Sequence, residues 1–570
     1  MVRLFNKHNH RRSFLLDGLW KFKTDPDRKG FEEKWFEEFP QESVDVAVPS
    51  CWNNEMELYA YEGAAWYATT FQNTKRNLNI AFEAVTGQAE VYLDGKHLGG
   101  HYGGFTGFNF VLEDIDPGVH ILVVYVDNTH NDIDTYPLSK VDWYHYGGIT
   151  RSVEVMELEN YWIKDFQIKY DLDINLGKAK LFFDVSTEKL GTESYNTPKT
   201  GNLNVYVNDK KLCLKGIDLN ISSKNTIDEY TVDNILLWDI ESPNLYNIRF
   251  EIEAGGVIID DVIERIGFRK VEVNGKKILL NGKELCIKGV NRHEDHPDWG
   301  FALPLKIMKR DLDILKDMGC NAIRGSHYPN SPVFLDLCDQ EGMLFWEEIP
   351  MWQYFDRHFT NPVVVERGLK MHEEMVKRDY HHPSIILWGM HNEVESTCQS
   401  AYEVTKKFVS LVKELDQTRP ITFASCRPME DICMGLVDII SINAYLGWYR
   451  GGIEEWPVFL DEFKQRLKSL GLSDMPLLIS EFGAGAVYGE HTFEGPKWTE
   501  NYQEKYLDYT LNLFLSDPDI SGVYIWQYCD IRTARELELG RPRSFNNKGI
   551  VNEYRKPKLA YWTVKRIFGK

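Results

Sequence analysis

Two glutamates stand where an apolar run gives out. The stretch SIILWGMHNEVES, residues 384–396, passes from apolar residues into His391, Asn392 and Glu393. The stretch MPLLISEFGAG, residues 475–485, is a second apolar run that delivers Glu481. Short apolar runs bounded by polar residues read as buried strands, so each carboxylate sits at a strand end. Two such carboxylates on one cavity can cleave a glycosidic bond. One, protonated, donates to the leaving oxygen; the other attacks the anomeric carbon or activates water, with a separation of about 5–5.5 Å giving retention and a wider one inversion. The two roles need pKa values split by burial and neighbours. Taken singly, either glutamate could be scaffold. Asn392 could start a turn, or bind a sugar hydroxyl such as the 2-OH.

The elements around them decide whether the pair can meet. From about residue 270 strands alternate with helices. LKIMKRDLDILKDMG places Leu305, Met308, Leu312, Leu315 and Met318 at helical spacing, with Gly319 as the stop. Further helices are expected over 363–378, 402–415, 459–470 and 502–515. Eight strands, each apolar enough for burial on both faces, predict a (β/α)8 TIM barrel over 269–570. Barrel active sites lie at the C-terminal strand ends. Glu393 follows the fourth strand and Glu481 ends the seventh, across the mouth. Residues 1–157 read as all-β, with segments such as AWYATTFQ and ILVVYVDN between Gly, Asn and Asp turns, and predict a jelly-roll β-sandwich. A helix is allowed for there only around 31–36. Residues 158–268 alternate again, in AKLFFDVST and YNIRFEIEA, and predict an immunoglobulin-like sandwich.

Composition narrows the partners. A net charge of −21 opposes a phosphate backbone, so nucleic acid is not expected. Nine scattered cysteines with no C-x-x-C argue against a disulfide framework or a zinc site. No apolar segment is long enough to span a membrane, and the first residues lack a signal-peptide core; a cytoplasmic protein is the expectation. No metal or organic cofactor is indicated.

KGVNRHEDHP (288–297), NAIRGSHYP (321–329), WEEIP (346–350), WGMHNE (388–393) and ISEFG (479–483), in this order, resemble glycoside hydrolase family 2. The resemblance spans the chain and implies a retaining double displacement. It implies Glu393 as acid/base and Glu481 as nucleophile. Tyr445, in SINAYLGWY, matches a tyrosine set against the nucleophile, where its hydroxyl would favour the anion. His327 matches a histidine near the sugar ring, and Trp526 a tryptophan of the sugar pocket. Asp142, in KVDWYHYGGITRSV, matches an aspartate that the first domain inserts into the barrel mouth. Each has a plainer reading, and His293, Glu294 and Arg324 are taken as scaffold. His381 and His382 precede a strand, away from the catalytic face. Glu347 and Glu348 are expected one layer behind the site. Family members are often dimers or tetramers, so a homo-oligomer is expected.

RSFNNKGIVNEYRKPK (543–558) bears on the sugar. Asn546 and Lys548 are two apart, so on extended backbone they share a face. An amide beside an ammonium makes a carboxylate clamp, though Asn-Asn-Lys-Gly is also a good turn. The pair resembles the Asn-x-Lys signature of the family's β-glucuronidases, with Tyr449 as a second pocket tyrosine. The implied activity is exo-β-glucuronidase on a small-molecule or oligosaccharide uronide. A β-galacturonidase or mixed hexuronidase stays open, because Pro542 stands where the family often has arginine, between Arg541 and Arg543. Arg532 near the eighth strand is an extra cation that could suit another epimer. A β-galactosidase is disfavoured by the clamp, and a non-catalytic sugar-binding protein by both glutamates. The segment after the third strand, PMWQYFDRHFTNP, is short, which suggests an open mouth and larger leaving groups.

Overall fold

The computed structural model describes residues 2–175, 177–191, 198–533 and 541–569. The chain opens with two antiparallel sheets packed face to face. One runs, in spatial order, Arg12–Leu15, Val153–Leu158, Asn77–Phe82, Phe108–Leu112. The other runs Val44–Val48, Gly18–Thr24, Ala64–Asn73, Gly118–Asp127, Gln88–Leu93, Lys96–Tyr102. Trp20, Phe22, Ile80, Phe82 and Val124 fill the space between them. The outer face of the larger sheet is partly covered too: Trp35 packs on Trp66 with ring centroids 6.1 Å apart. The segment around 31–36 is therefore apolar on one side, but it is a run of turns and not a helix. Lys34 sits at φ 56°, in the left-handed region that interrupts a helix.

The second unit stacks the sheet Tyr161–Asp173, Lys178–Lys189, Ser223–Asp233 on the sheet Lys210–Asp218, Thr200–Val207, Tyr246–Ala254, Val257–Ile266. Leu181, Phe183, Val205 and Phe250 form its core. The sandwich does without a disulfide: the cysteines are free.

Eight parallel strands then close a barrel: Ile287–Arg292, Ala322–Gly325, Leu344–Glu348, Ile385–Asn392, Ile421–Ser425, Ile440–Asn443, Leu477–Phe482 and Ile520–Ile525. Ile287 pairs with Gly522 to complete the ring. Trp346, Ile386, Leu478 and Tyr524 belong to the apolar cluster within it. Gly289 makes room for one of these rings, since a Cβ there would fall 2.4 Å from Tyr524. The helices between strands match the apolar spacing but begin earlier than periodicity alone places them, as in Pro362–Asp379 and Glu500–Ser516. Both are capped at the N-terminus, which periodicity does not show: Asn361 accepts from the Val363 amide and Thr499 from the Tyr502 amide. Among the described residues no helix is long and apolar enough to cross a membrane.

Buried charges tie the three units together. Arg3 donates to Asp336 of the barrel at 2.8 Å and pairs with Glu264 of the second unit at 3.1 Å. Arg151 of the first unit pairs with Glu294 at 3.0 Å and donates to the Pro329 carbonyl at 3.0 Å. The barrel mouth is thus held against the first sandwich.

Candidate active site

The C-terminal strand ends carry the polar residues that a barrel can spare there. Glu393 follows the fourth strand in the left-handed region, φ 53°. That conformation costs a non-glycine residue on the order of 1–3 kcal/mol, and the carboxyl that follows lines a cavity of about 370 Å³. Glu481, from the seventh strand, lines the same cavity. The sequence pair is brought together.

Their partners differ in kind. Glu393 accepts from two neutral amides, Gln353 Nε2 at 2.9 Å and Asn443 Nδ2 at 3.0 Å. Glu481 accepts from the Arg324 guanidinium at 2.8 Å and from the Tyr445 hydroxyl at 2.8 Å. Burial pushes the Glu481 carboxyl up to about 8; Arg324 and Tyr445 act against the rise, and the charge on Glu393 adds to it.

Arg324, read from sequence as scaffold, is the hub of the site. Its side chain is fully buried, holds Glu348 through two bonds at 2.8 and 3.0 Å, and donates to Asn392 Oδ1 at 2.7 Å. Asn392 is thereby fixed by its oxygen, and its Nδ2 has no partner among the described residues. His327 is set by Glu348, 2.7 Å from Nδ1. Burial, then Arg324, holds its pKa well below the usual histidine range. A neutral ring with its proton on Nδ1 presents a lone pair at Nε2, and that atom lies 3.9 Å from Glu481. The ring stacks on Trp526, 5.1 Å between centroids. His293 packs edge-on to both. Glu347 faces away, toward Arg378 at 3.5 Å.

The first sandwich supplies Asp142. Asn546 Nδ2 donates to it at 2.8 Å and Arg541 pairs with the same oxygen. Its other oxygen, Oδ1, has no partner among the described residues. Lys548 Nζ donates to the Tyr449 hydroxyl at 2.7 Å. Burial lowers the Lys548 pKa, with the Tyr449 hydroxyl opposing. Asn546 and Lys548 are both buried, one bond behind cavity residues Asp142 and Tyr449.

The three arginines of the last segment separate. Arg541 lines the cavity. Arg532 does not reach the sugar position that sequence allowed it: its guanidinium lies 3.5 Å from the Tyr59 ring centroid and 3.4 Å from that of Tyr144, joining barrel to sandwich. Arg543 pairs with Glu553 at 2.9 Å. Sequence reasoning missed Asn443 and Gln353. Asn443 carried a signal, a polar residue ending a barrel strand; Gln353, in an irregular loop, carried none. His382, Asp336 and Asp339 cluster below, where Arg3 bonds Asp336 and His382 Nδ1 lies 2.6 Å from Asp339.

The whole chain has counterparts. The solved β-galacturonidase of Eisenbergiella tayi, bound to galacturonate, superposes with a TM-score of 0.91 at 36% identity, covering 100% of this chain and 99% of that one. The Ruminococcus gnavus β-glucuronidase gives a TM-score of 0.88 at 28% identity, covering 100% and 99%. The β-glucuronidase of Streptococcus agalactiae is 29% identical over 98% of this chain and 96% of its own length. Family models match residues 14–159 as the sugar binding domain of glycosyl hydrolases family 2, 162–269 as glycosyl hydrolases family 2, and 271–570 as its TIM barrel domain. From the first sandwich to the last helix, this chain is a glycoside hydrolase and belongs to glycosyl hydrolases family 2.

Proposed function

We propose that the chain is a retaining, exo-acting hydrolase of β-D-glucuronides. The observation that carries this is Arg541 on the wall of the cavity that also holds Glu393 and Glu481, with Asn546 and Lys548 one hydrogen bond behind the lining residues Asp142 and Tyr449. In a chain of net charge −21, such a cluster beside a sugar pocket fits a ring bearing a carboxylate. Lys548, one hydrogen bond behind Tyr449, sets that hydroxyl and adds a buried positive charge on the side where the uronate carboxylate would lie.

Glu481, held by a permanent cation and a hydroxyl, attacks C1. The C1–O bond breaks, its electron pair goes to the leaving oxygen, and that oxygen takes the proton of Glu393. Glu393, now a carboxylate, removes a proton from water. The water oxygen attacks C1, the bond to Glu481 breaks, and the sugar leaves with its configuration retained. When Glu393 carries the proton, its charge no longer opposes ionisation of Glu481. Arg324 and Tyr445 then favour the anion, so one proton is shared in the order the reaction needs. Asn392 Nδ2, His327 Nε2 and Asp142 Oδ1 have no hydrogen-bond partner among the described residues, a capacity that the sugar hydroxyls would take up.

A second reading, hydrolysis of β-D-galacturonides, is favoured by the 36% identity with the Eisenbergiella tayi enzyme and by Arg541 beside Asp142. The two sugars differ only at C4. Hydrolysis of the p-nitrophenyl β-glucuronide, galacturonide, galactoside and glucoside by wild type, Glu481→Ala and Lys548→Ala tests both. Turnover of the glucuronide, lost in both variants, supports the proposal. Preference for the galacturonide keeps the mechanism and changes the sugar. Galactosidase activity that survives Lys548→Ala rejects the clamp.

A further inference from the structure

The cations of the cavity differ in depth and in partners. Lys548 is 2% exposed and bonded to Tyr449; Arg541 is paired with Asp142. Arg450 lines the same cavity but is exposed. Among the described residues no carboxylate lies within 4.0 Å of its guanidinium, which stands 6.0 Å from the centroid of the Phe459 ring.

Arg450 is nevertheless well placed. Its carbonyl accepts from the Gly447 amide at 2.8 Å, closing the turn on which it stands. The other side chains of that turn are pinned: Tyr445 to Glu481, Tyr449 to Lys548, and Trp448 edge-on to Trp498 at 4.9 Å. A rigid turn thus projects, at the lip of the pocket, a cation with no carboxylate partner among the described residues, beside the Tyr449 ring, which is 62% exposed.

Position assigns the ligand. In an exo-acting pocket the cleaved sugar fills the floor, where the buried groups are, and the leaving group remains at the opening. We propose that Arg450 anchors an anionic leaving group, so that the preferred substrate joins its terminal hexuronate to a second, acidic sugar whose carboxylate or sulfate meets the guanidinium. This rests on the hexuronidase reading above. It also resolves an electrostatic difficulty: a chain of net charge −21 repels an acidic oligosaccharide, and a cation at the entrance reverses that field locally. The exposed Tyr449 face offers the leaving sugar ring an apolar surface beside the charge.

The test compares wild type, Arg450→Ala and Arg450→Lys on four substrates: p-nitrophenyl β-hexuronide, a disaccharide whose leaving sugar is a uronate, the same disaccharide methyl-esterified on that sugar, and an analogue with a sulfated leaving sugar. Wild type is expected to favour an anionic leaving sugar over the ester by about fivefold in kcat/KM at low ionic strength, and less at 0.5 M salt. Arg450→Ala should abolish that ratio and Arg450→Lys should keep part of it. Loss confined to the uronate or to the sulfated substrate supports the anchor and names its anion. Equal loss on the charged and esterified disaccharides overturns it. A wild type inert on both aryl glucuronide and aryl galacturonide overturns the hexuronidase reading itself, which the aryl substrates reveal separately.

Discussion

Arg324 Nη1 stands 2.8 Å from Glu481 Oε1, and the same guanidinium grips Glu348 from its other edge. One buried arginine therefore favours the anion of Glu481, the proposed nucleophile, sets Asn392 through its oxygen, and fixes His327 through Glu348. A lysine keeps the charge but not the fork. Arg324→Lys is expected to lower kcat by on the order of a hundredfold, with a smaller change in KM. Steady-state kinetics on an aryl hexuronide decide it; a variant whose KM rises while kcat holds would show that Arg324 only shapes binding.

Tyr445 and Glu393 push the Glu481 carboxyl in opposite directions. Tyr445→Phe removes a donor that favours the anion, so the carboxyl rises further and the acid limb of kcat/KM moves to higher pH, by roughly half to one unit. Glu393→Gln removes a charge that raises it, so the acid limb moves to lower pH. That variant should also lose about 10²- to 10⁴-fold on substrates with poor leaving groups. Acid limbs that shift the same way in both variants would contradict the assignment.

Arg3 sits among acids shared by two units. Burial opposes ionisation of Glu264, but Arg3, with help from His381 and His382, holds its pKa below the ordinary 4.5. A carboxylate so lowered stabilises the fold above about pH 4.5 and loses that contribution as pH falls through its folded value. Arg3→Met leaves Glu264 and Asp336 without this partner and is expected to cost about 3–5 kcal/mol. Thermal melting across pH 3–7 reads both effects: a lower melting temperature at neutral pH and a flatter decline on acidification. Unchanged melting would mean the strap is loose in solution.

Arg532 between Tyr59 and Tyr144 couples the eighth-strand loop to the segment that delivers Asp142. Arg532→Lys keeps a charge but not the planar stack, at a cost of about 1–2 kcal/mol. The expected signature is a lower melting temperature together with a raised KM, because Asp142 is held two residues from Tyr144. A raised KM in a variant of unchanged stability would place Arg532 nearer the substrate than its stack implies.

Sequence by itself determined the parts whose signals are local. The period of Leu305, Met308, Leu312 and Leu315 is a helix wherever it is placed, and an apolar strand ending in Asn392 and Glu393 puts a carboxylate at a barrel mouth. Burial on both faces allowed few other arrangements, so the barrel and its two glutamates were legible. Only the tertiary structure decided which arginine serves which task. Arg532, Arg541 and Arg543 lie within one stretch of chain, yet one joins two units, one lines the cavity and one pairs with Glu553. Arg541 meets Asp142 across 399 residues of sequence, and Gln353 reaches Glu393 from a loop without periodicity. Loops carry no repeating apolar pattern, and the partner of a long charged side chain depends on what distant packing brings within 3 Å of it, which no local run of residues encodes.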